Sequence, residues 1–252
     1  MAHIAVLGLG NWGTAIARLW LLEGHKVTGW TIEQEVYESI TMSETNEKYL
    51  PNHPVPGLDA TMHLSEAVEG AEIVVLAVPS SVILDVMEDV LPHLQPGHVL
   101  LDLAKGLAPG KRLISEAIHT RLKEEGKTNP LAVLTGPTIA PEAAGGVMTT
   151  ALVASEDQAI AQRLAQTLST PSFILHPASD PVGAELWGAY KNVVALACGL
   201  VDGLKQVGDL GGDNLKAAIF MSGFKEGCLL LAELGARAEV AFGPAGLGDM
   251  YV

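Results

Sequence analysis

The residues best suited to chemistry are a lysine in the wrong company and a cluster of glycines at the start of the chain. The lysine is Lys191, in Glu185-Leu-Trp-Gly-Ala-Tyr-Lys191-Asn192. From Val193 to Val201 every face of the following helix is apolar or small, so this helix is expected to be buried all round. Lysine is almost never fully buried without a partner. On a pocket wall it loses solvation, which favours the neutral amine and brings the group towards proton transfer. A snorkelling lysine at a domain edge fits the position as well. Asn192 suits an interhelical hydrogen bond as readily as a ligand contact.

A second lysine, Lys105, follows an apolar run in Ala104-Lys105-Gly106-Leu107. Ligands of open α/β sheets bind at the carboxyl ends of parallel strands, and a cation there suits an anionic substrate or a cofactor. A surface loop lysine is the plain alternative. Thr135-Gly136-Pro137-Thr138 occupies a similar place, with amides and a hydroxyl able to receive a phosphate or carbonyl, although an ordinary turn explains it too. Near the end of the chain, Gly246-Leu-Gly248-Asp249 offers an acid that could hold an ammonium group.

The glycines are Gly8-Leu-Gly10-Asn-Trp-Gly13, placed after a strand and opening a helix. In that context Gly8 permits the tight turn, Gly10 lets the backbone approach a pyrophosphate, and Gly13 lets helix and strand pack closely. The free amides of the helix start then face the phosphates. Two residues bear on which nucleotide is bound. Glu33 stands about twenty residues beyond Gly13, as an acid reading a ribose 2′-hydroxyl does, but past the expected strand end. Thr31 fits either nucleotide, so NAD and NADP both stay open.

The elements that must position these groups alternate. Short apolar strands are expected at Ile4–Leu7, His25–Trp30, Ile73–Val78 and Val99–Leu103, with helices at Gly13–Leu22, Leu64–Val68 and Val82–Leu94. Such alternation means a doubly wound, mostly parallel Rossmann-type sheet. Further strands are expected at Ala132–Leu134, Thr150–Ala154 and Ser172–His176, with a helix between the last two. That helix carries an apolar stripe (Ile160, Leu164, Leu168) and a capping box formed by Ser155 and Gln158. Asp180 as N-cap and Pro181 at the first position then open a long helix to about Leu204, and a second runs from about Asn214 to Leu234, ended by Gly235. The fold class is therefore α/β followed by an all-α part, with residues 1–178 binding the dinucleotide and 179–252 forming a helical substrate domain.

Composition narrows the function. The chain has 252 residues, 48% of them apolar, enough for a real core. A net charge of −14 argues against nucleic acid or an anionic membrane as partner, because both demand a basic surface. No apolar run is long enough to span a bilayer, and the glycine-broken N-terminus reads as a buried strand rather than a signal peptide. Cys198 and Cys228 read as buried free thiols in a reducing cytoplasm. No metal site is expected.

Taken together, these segments resemble the bacterial-type NAD(P)-dependent glycerol-3-phosphate dehydrogenases. The matching text is GLGNWGTA at 8–15, Asn46-Glu-Lys-Tyr-Leu-Pro51, AVPS at 77–80, AKGL at 104–107 and LTGPTIAPE at 134–142. It continues with ELWGAYKNVVALACGLVDGL at 185–204, Asp213-Asn-Leu-Lys-Ala-Ala218 and GPAGLGDM at 243–250. The resemblance implies that Asn11, Trp12 and Ala140 line an NAD or NADP cofactor beside Gly8, Gly10 and Gly13. It implies that Lys105 meets both cofactor and substrate, and that Gly136 and Thr138 touch the substrate. Lys191 would be the general acid–base, and Asp249 would orient it. The implied substrates are dihydroxyacetone phosphate and glycerol 3-phosphate, feeding phospholipid synthesis, with a homodimer as the oligomer considered.

Three departures stand out. The family's Thr and Ser-Arg-Asn segment beyond GLGD is not reached before Val252, so a C-terminally truncated chain is expected, of uncertain turnover. Lys205–Gly211 reads as a loop about five residues longer than usual, and Met221-Ser-Gly-Phe224 replaces a Thr-Arg-Gly-Leu stretch. Two other readings compete. One is a different lysine-dependent two-domain reductase, of the ketopantoate or hydroxyacid type. The other is a nucleotide-binding sensor that has lost catalysis.

Overall fold

The computed structural model describes residues 1–208 and 211–252. Its first part alternates strand and helix: β1 (His3–Leu7), α1 (Asn11–Leu22), β2 (Lys26–Trp30), α2 (Gln34–Ser43), β3 (Asp59–Thr61), α3 (Leu64–Val68), β4 (Ile73–Leu76), α4 (Ile83–Val90) and β5 (Val99–Asp102). Then come α5 (Ile114–Glu124), β6 (Leu131–Thr135), α6 (Ala140–Ala144), β7 (Thr149–Ala154), α7 (Gln158–Leu168) and β8 (Phe173–Ala178). The eight strands make one sheet in the order β3-β2-β1-β4-β5-β6-β7-β8. The first six run parallel. β7 turns back antiparallel to β6, and β8 runs parallel to β7.

β1 is central, with Ile4 paired to Val27 on one side and to Ile73 on the other. Helices cover both faces, which is why β4 and β5 read as unbroken apolar runs, IVVL and VLL, before Asp102. One core layer gathers Ile4, Val6, Trp20 and Phe173; the other gathers Ala5, Leu7, Met87 and Ile118. α2, β3, α5 and α6 go unmarked in the sequence reading. β3 is three residues long, too short for a period to show. α5 does carry a stripe, Ile114, Ala117, Ile118 and Leu122, among charged residues. The capping box at α7 is corrected. Asp157 is the N-cap and accepts the Ala159 N–H at 2.9 Å, whereas the Ser155 hydroxyl donates to the Leu131 carbonyl of β6.

The second part begins where β8 ends. Asp180 Oδ1 accepts the Gly183 N–H at 2.9 Å and opens α8 (Pro181–Gly208), while its Oδ2 accepts the Arg237 N–H at 2.7 Å. α8 thus runs through the first half of the segment read as a loop insertion; residues 209 and 210 lie outside the described residues. α9 (Asp213–Glu233) and α10 (Ala238–Ala241) follow, then a π turn (Pro244–Gly248) and α11 (Asp249–Tyr251). α9 lies close against α8 because two of its residues lack side chains. A Cβ on Gly223 would come within 2.6 Å of Val194, and one on Gly227 within 2.6 Å of Tyr190.

α8 is not buried all round. Trp187, Val194, Cys198 and Val201 form one buried stripe, while Val193, Leu196 and Leu200 stand 62%, 77% and 66% exposed. Apolar text marks which faces tolerate burial, and neighbours decide which are covered. Cys198 is buried and Cys228 half-buried, both as free thiols. Among the described residues no helix is long and apolar enough to cross a membrane.

Candidate active site

The chemistry-bearing loops collect at the carboxyl ends of the parallel strands. After β1, Gly8 takes φ +110°, and its N–H donates to the Trp30 carbonyl at 3.0 Å. A Cβ on Gly13 would sit 1.9 Å from the Gly8 carbonyl oxygen, so helix and turn touch there. Gly10 is different. Its backbone is extended, a conformation any residue adopts, and a Cβ on it would meet nothing within 4 Å. No neighbouring protein atom excludes a side chain at that position, which would project into open space at the start of α1. No side chain caps α1, which leaves its first amides free towards that space. The cradle therefore fits a dinucleotide pyrophosphate.

Asn11 is exposed at this helix start, and the half-buried Trp12 stands edge-on to Phe173 at 6.0 Å. Ala140, at the start of α6, packs with Ala15 and Leu50 against Trp12. Asn46, fully buried, donates to the Leu9 carbonyl and to Thr14 Oγ1, both at 2.8 Å. Thr31 is buried, with its hydroxyl accepting the Glu33 N–H at 3.1 Å, so Glu33 is the residue presenting a polar group there.

The two lysines meet on one acid. Asp249, 1% exposed, accepts from Lys105 Nζ at 2.7 Å through Oδ2 and from Lys191 Nζ through Oδ1. Lys105 reaches it from the end of β5, and its ammonium also donates to the Gly136 carbonyl at 3.0 Å. Thr138 Oγ1 donates to the same carbonyl at 3.2 Å. Lys191 arrives from α8, at positions 187, 191, 194, 198 and 201 of the packed stripe, which is why its side chain is only 17% exposed. Burial lowers the Lys105 pKa to about 8, helped by the nearby charge of Lys191 and opposed by Asp249. The residues singled out at the loops after β5 and β6, on α8 and in the last turn thus form one cluster. The glycine loop forms a second, after β1.

Sequence reasoning missed two supports. Asp102 closes β5 in full burial, its Oδ1 accepting the Ala104 N–H at 2.8 Å and holding the turn that presents Lys105. Burial raises its pKa well above the ordinary carboxylate value. Glu185, one turn and a half before Lys191, accepts the Ser115 N–H at 3.0 Å and the Ser115 hydroxyl. Its pKa is also raised by burial. An acid ending an apolar strand was the available signal for Asp102; the Glu185–Ser115 contact spans 70 residues and left none.

A family model for the N-terminus of NAD-dependent glycerol-3-phosphate dehydrogenase matches residues 3–161, and one for its C-terminus matches residues 180–252. The chain belongs to the NAD-dependent glycerol-3-phosphate dehydrogenase family. A relative from Rhodospirillum rubrum, named glycerol-3-phosphate dehydrogenase (NAD(P)+), is 41% identical over 99% of this chain and 70% of its own length. One of the same name from Clostridium acetobutylicum is 36% identical over 100% of this chain and 74% of its own. The crystal structure of a glycerol-3-phosphate dehydrogenase from Coxiella burnetii superposes with a TM-score of 0.91 at 34% identity, covering 99% of this chain and 74% of that one.

Proposed function

We propose that the chain interconverts dihydroxyacetone phosphate and glycerol 3-phosphate with NAD or NADP as the redox partner. Residues 1–178 would hold the nucleotide, through Gly8, Gly10, Gly13, Asn11, Trp12 and Ala140, with Thr31 behind the ribose loop. Residues 179–252 would bring Lys191 and Asp249 to it. The reduced nicotinamide, when bound, supplies the hydride. Lys191 delivers a proton to the substrate carbonyl oxygen as that carbon is reduced, and takes it back in the reverse direction. Asp249 holds the Lys191 ammonium in place and pairs Lys105 with it. Lys105, Gly136 and Thr138 would receive the substrate, the lysine by charge and the loop by its amides.

The observation that carries this reading is the shared acid: one buried carboxylate binding two ammonium groups from different parts of the fold. A nucleotide sensor has no need of two lysines so arranged. The test is the absorbance of NADH or NADPH mixed with the chain and dihydroxyacetone phosphate. Loss of absorbance at the nicotinamide band, with stoichiometric glycerol 3-phosphate, is expected; stable absorbance with both nucleotides would overturn the assignment.

A further inference from the structure

Resting on the reading of the glycine loop as a dinucleotide cradle, we propose that Glu33 makes this chain prefer NAD(H) over NADP(H) by holding a fixed negative charge where the extra phosphate would lie. Glu33 lies beyond the end of β2, at the N-cap of α2, and about twenty residues after Gly13, the spacing of an acid that reads the adenosine ribose. Its Oε1 accepts the Tyr49 hydroxyl at 2.8 Å, and its Oε2 accepts Lys48 Nζ at 2.5 Å. These bonds keep the carboxyl ionised by lowering its pKa.

The same segment is tied to the glycine loop. Asn46 binds the Leu9 carbonyl, and its Oδ1 accepts the Tyr49 N–H at 3.2 Å. Residues 46–49 therefore link the pyrophosphate turn to Glu33 in one hydrogen-bonded run, which sets the acid's position relative to the cradle.

Lys48 does not reverse the charge of this corner. It bridges Glu33 and Glu35 together, so the three side chains sum to one negative charge. Ile32, 74% exposed, occupies the neighbouring loop position with an apolar side chain rather than a guanidinium. A 2′-phosphate would bring about two more negative charges to this corner, while a ribose diol brings two hydroxyl donors that a carboxylate accepts.

Binding rather than turnover tests the idea, using quenching of the intrinsic tryptophan fluorescence by NADH and by NADPH. NADH is expected to bind at least about tenfold more tightly than NADPH. In Glu33→Ala the ratio should fall towards one, chiefly by loss of NADH affinity, and Glu33→Gln, which keeps an acceptor for Tyr49, should lie between. Equal affinities in the unmodified chain, or a ratio unchanged in Glu33→Ala, would overturn the proposal. Binding of neither nucleotide would overturn it together with the cradle reading, and is distinguishable on that account.

Discussion

Asp249 carries one negative charge and touches two ammonium groups, so the cluster is locally positive within a chain of net charge −14. That is how an acidic protein can attract a phosphorylated substrate. The cost shows on Lys105. Its proton is released near pH 8 in the folded chain, against 10.5 for an ordinary lysine. The unfolded chain thus binds more protons between those values, and folding stability should rise as pH climbs through that window. Urea unfolding at pH 7.5 and 9.5 is expected to show a gain on the order of 2 kcal/mol that Lys105→Met lacks. An identical pH response in both proteins would mean that Lys105 titrates normally. At this scale the sequence was informative about Lys191, since a lysine opening an apolar stretch is conspicuous. It was weaker on Asp249, which looked like a turn residue until two lysines, 144 and 58 positions away, closed on it.

At the scale of elements, the strand–glycine–helix unit was legible because strand, spacing and helix start occur within one short stretch. α8 was legible as a helix but not as a surface: composition made it look enclosed, while the structure buries one stripe and leaves Leu196 and Leu200 exposed. Lys191 owes its burial to lying on that stripe. The glycine loop yields a clean test, since a side chain at Gly10 meets no protein atom. Gly10→Val should fold, with a melting temperature lowered only slightly by the poorer N-cap, and lose nucleotide affinity by at least about a hundredfold, because the branched side chain fills the approach to the α1 amides. Undiminished binding, measured by calorimetry, would show that the loop cradles nothing. Failure to fold would show that glycine serves the fold there.

Over the whole molecule, the sheet order explains why the site exists where it does. β1, β5 and β6 run parallel, so the glycine loop, Lys105 and Gly136 all emerge at one edge; α8 packs over β6 and β7 and brings Lys191 there, and α11 brings Asp249. Alternation of strand and helix made the architecture readable, and the change of character after residue 178 coincides with the end of β8. The reversal of β7 and the contact of Glu185 with Ser115 depend on distant pairing and left no local trace. The central claim is that Lys191 moves the proton while the first part of the chain holds the nucleotide independently. Single-turnover oxidation of bound NADH by dihydroxyacetone phosphate, followed in Lys191→Ala beside a NADH titration, tests it most directly. The account predicts a rate lower by about a hundred- to ten-thousandfold with NADH affinity within about twofold of the unmodified chain; an undiminished rate would contradict it.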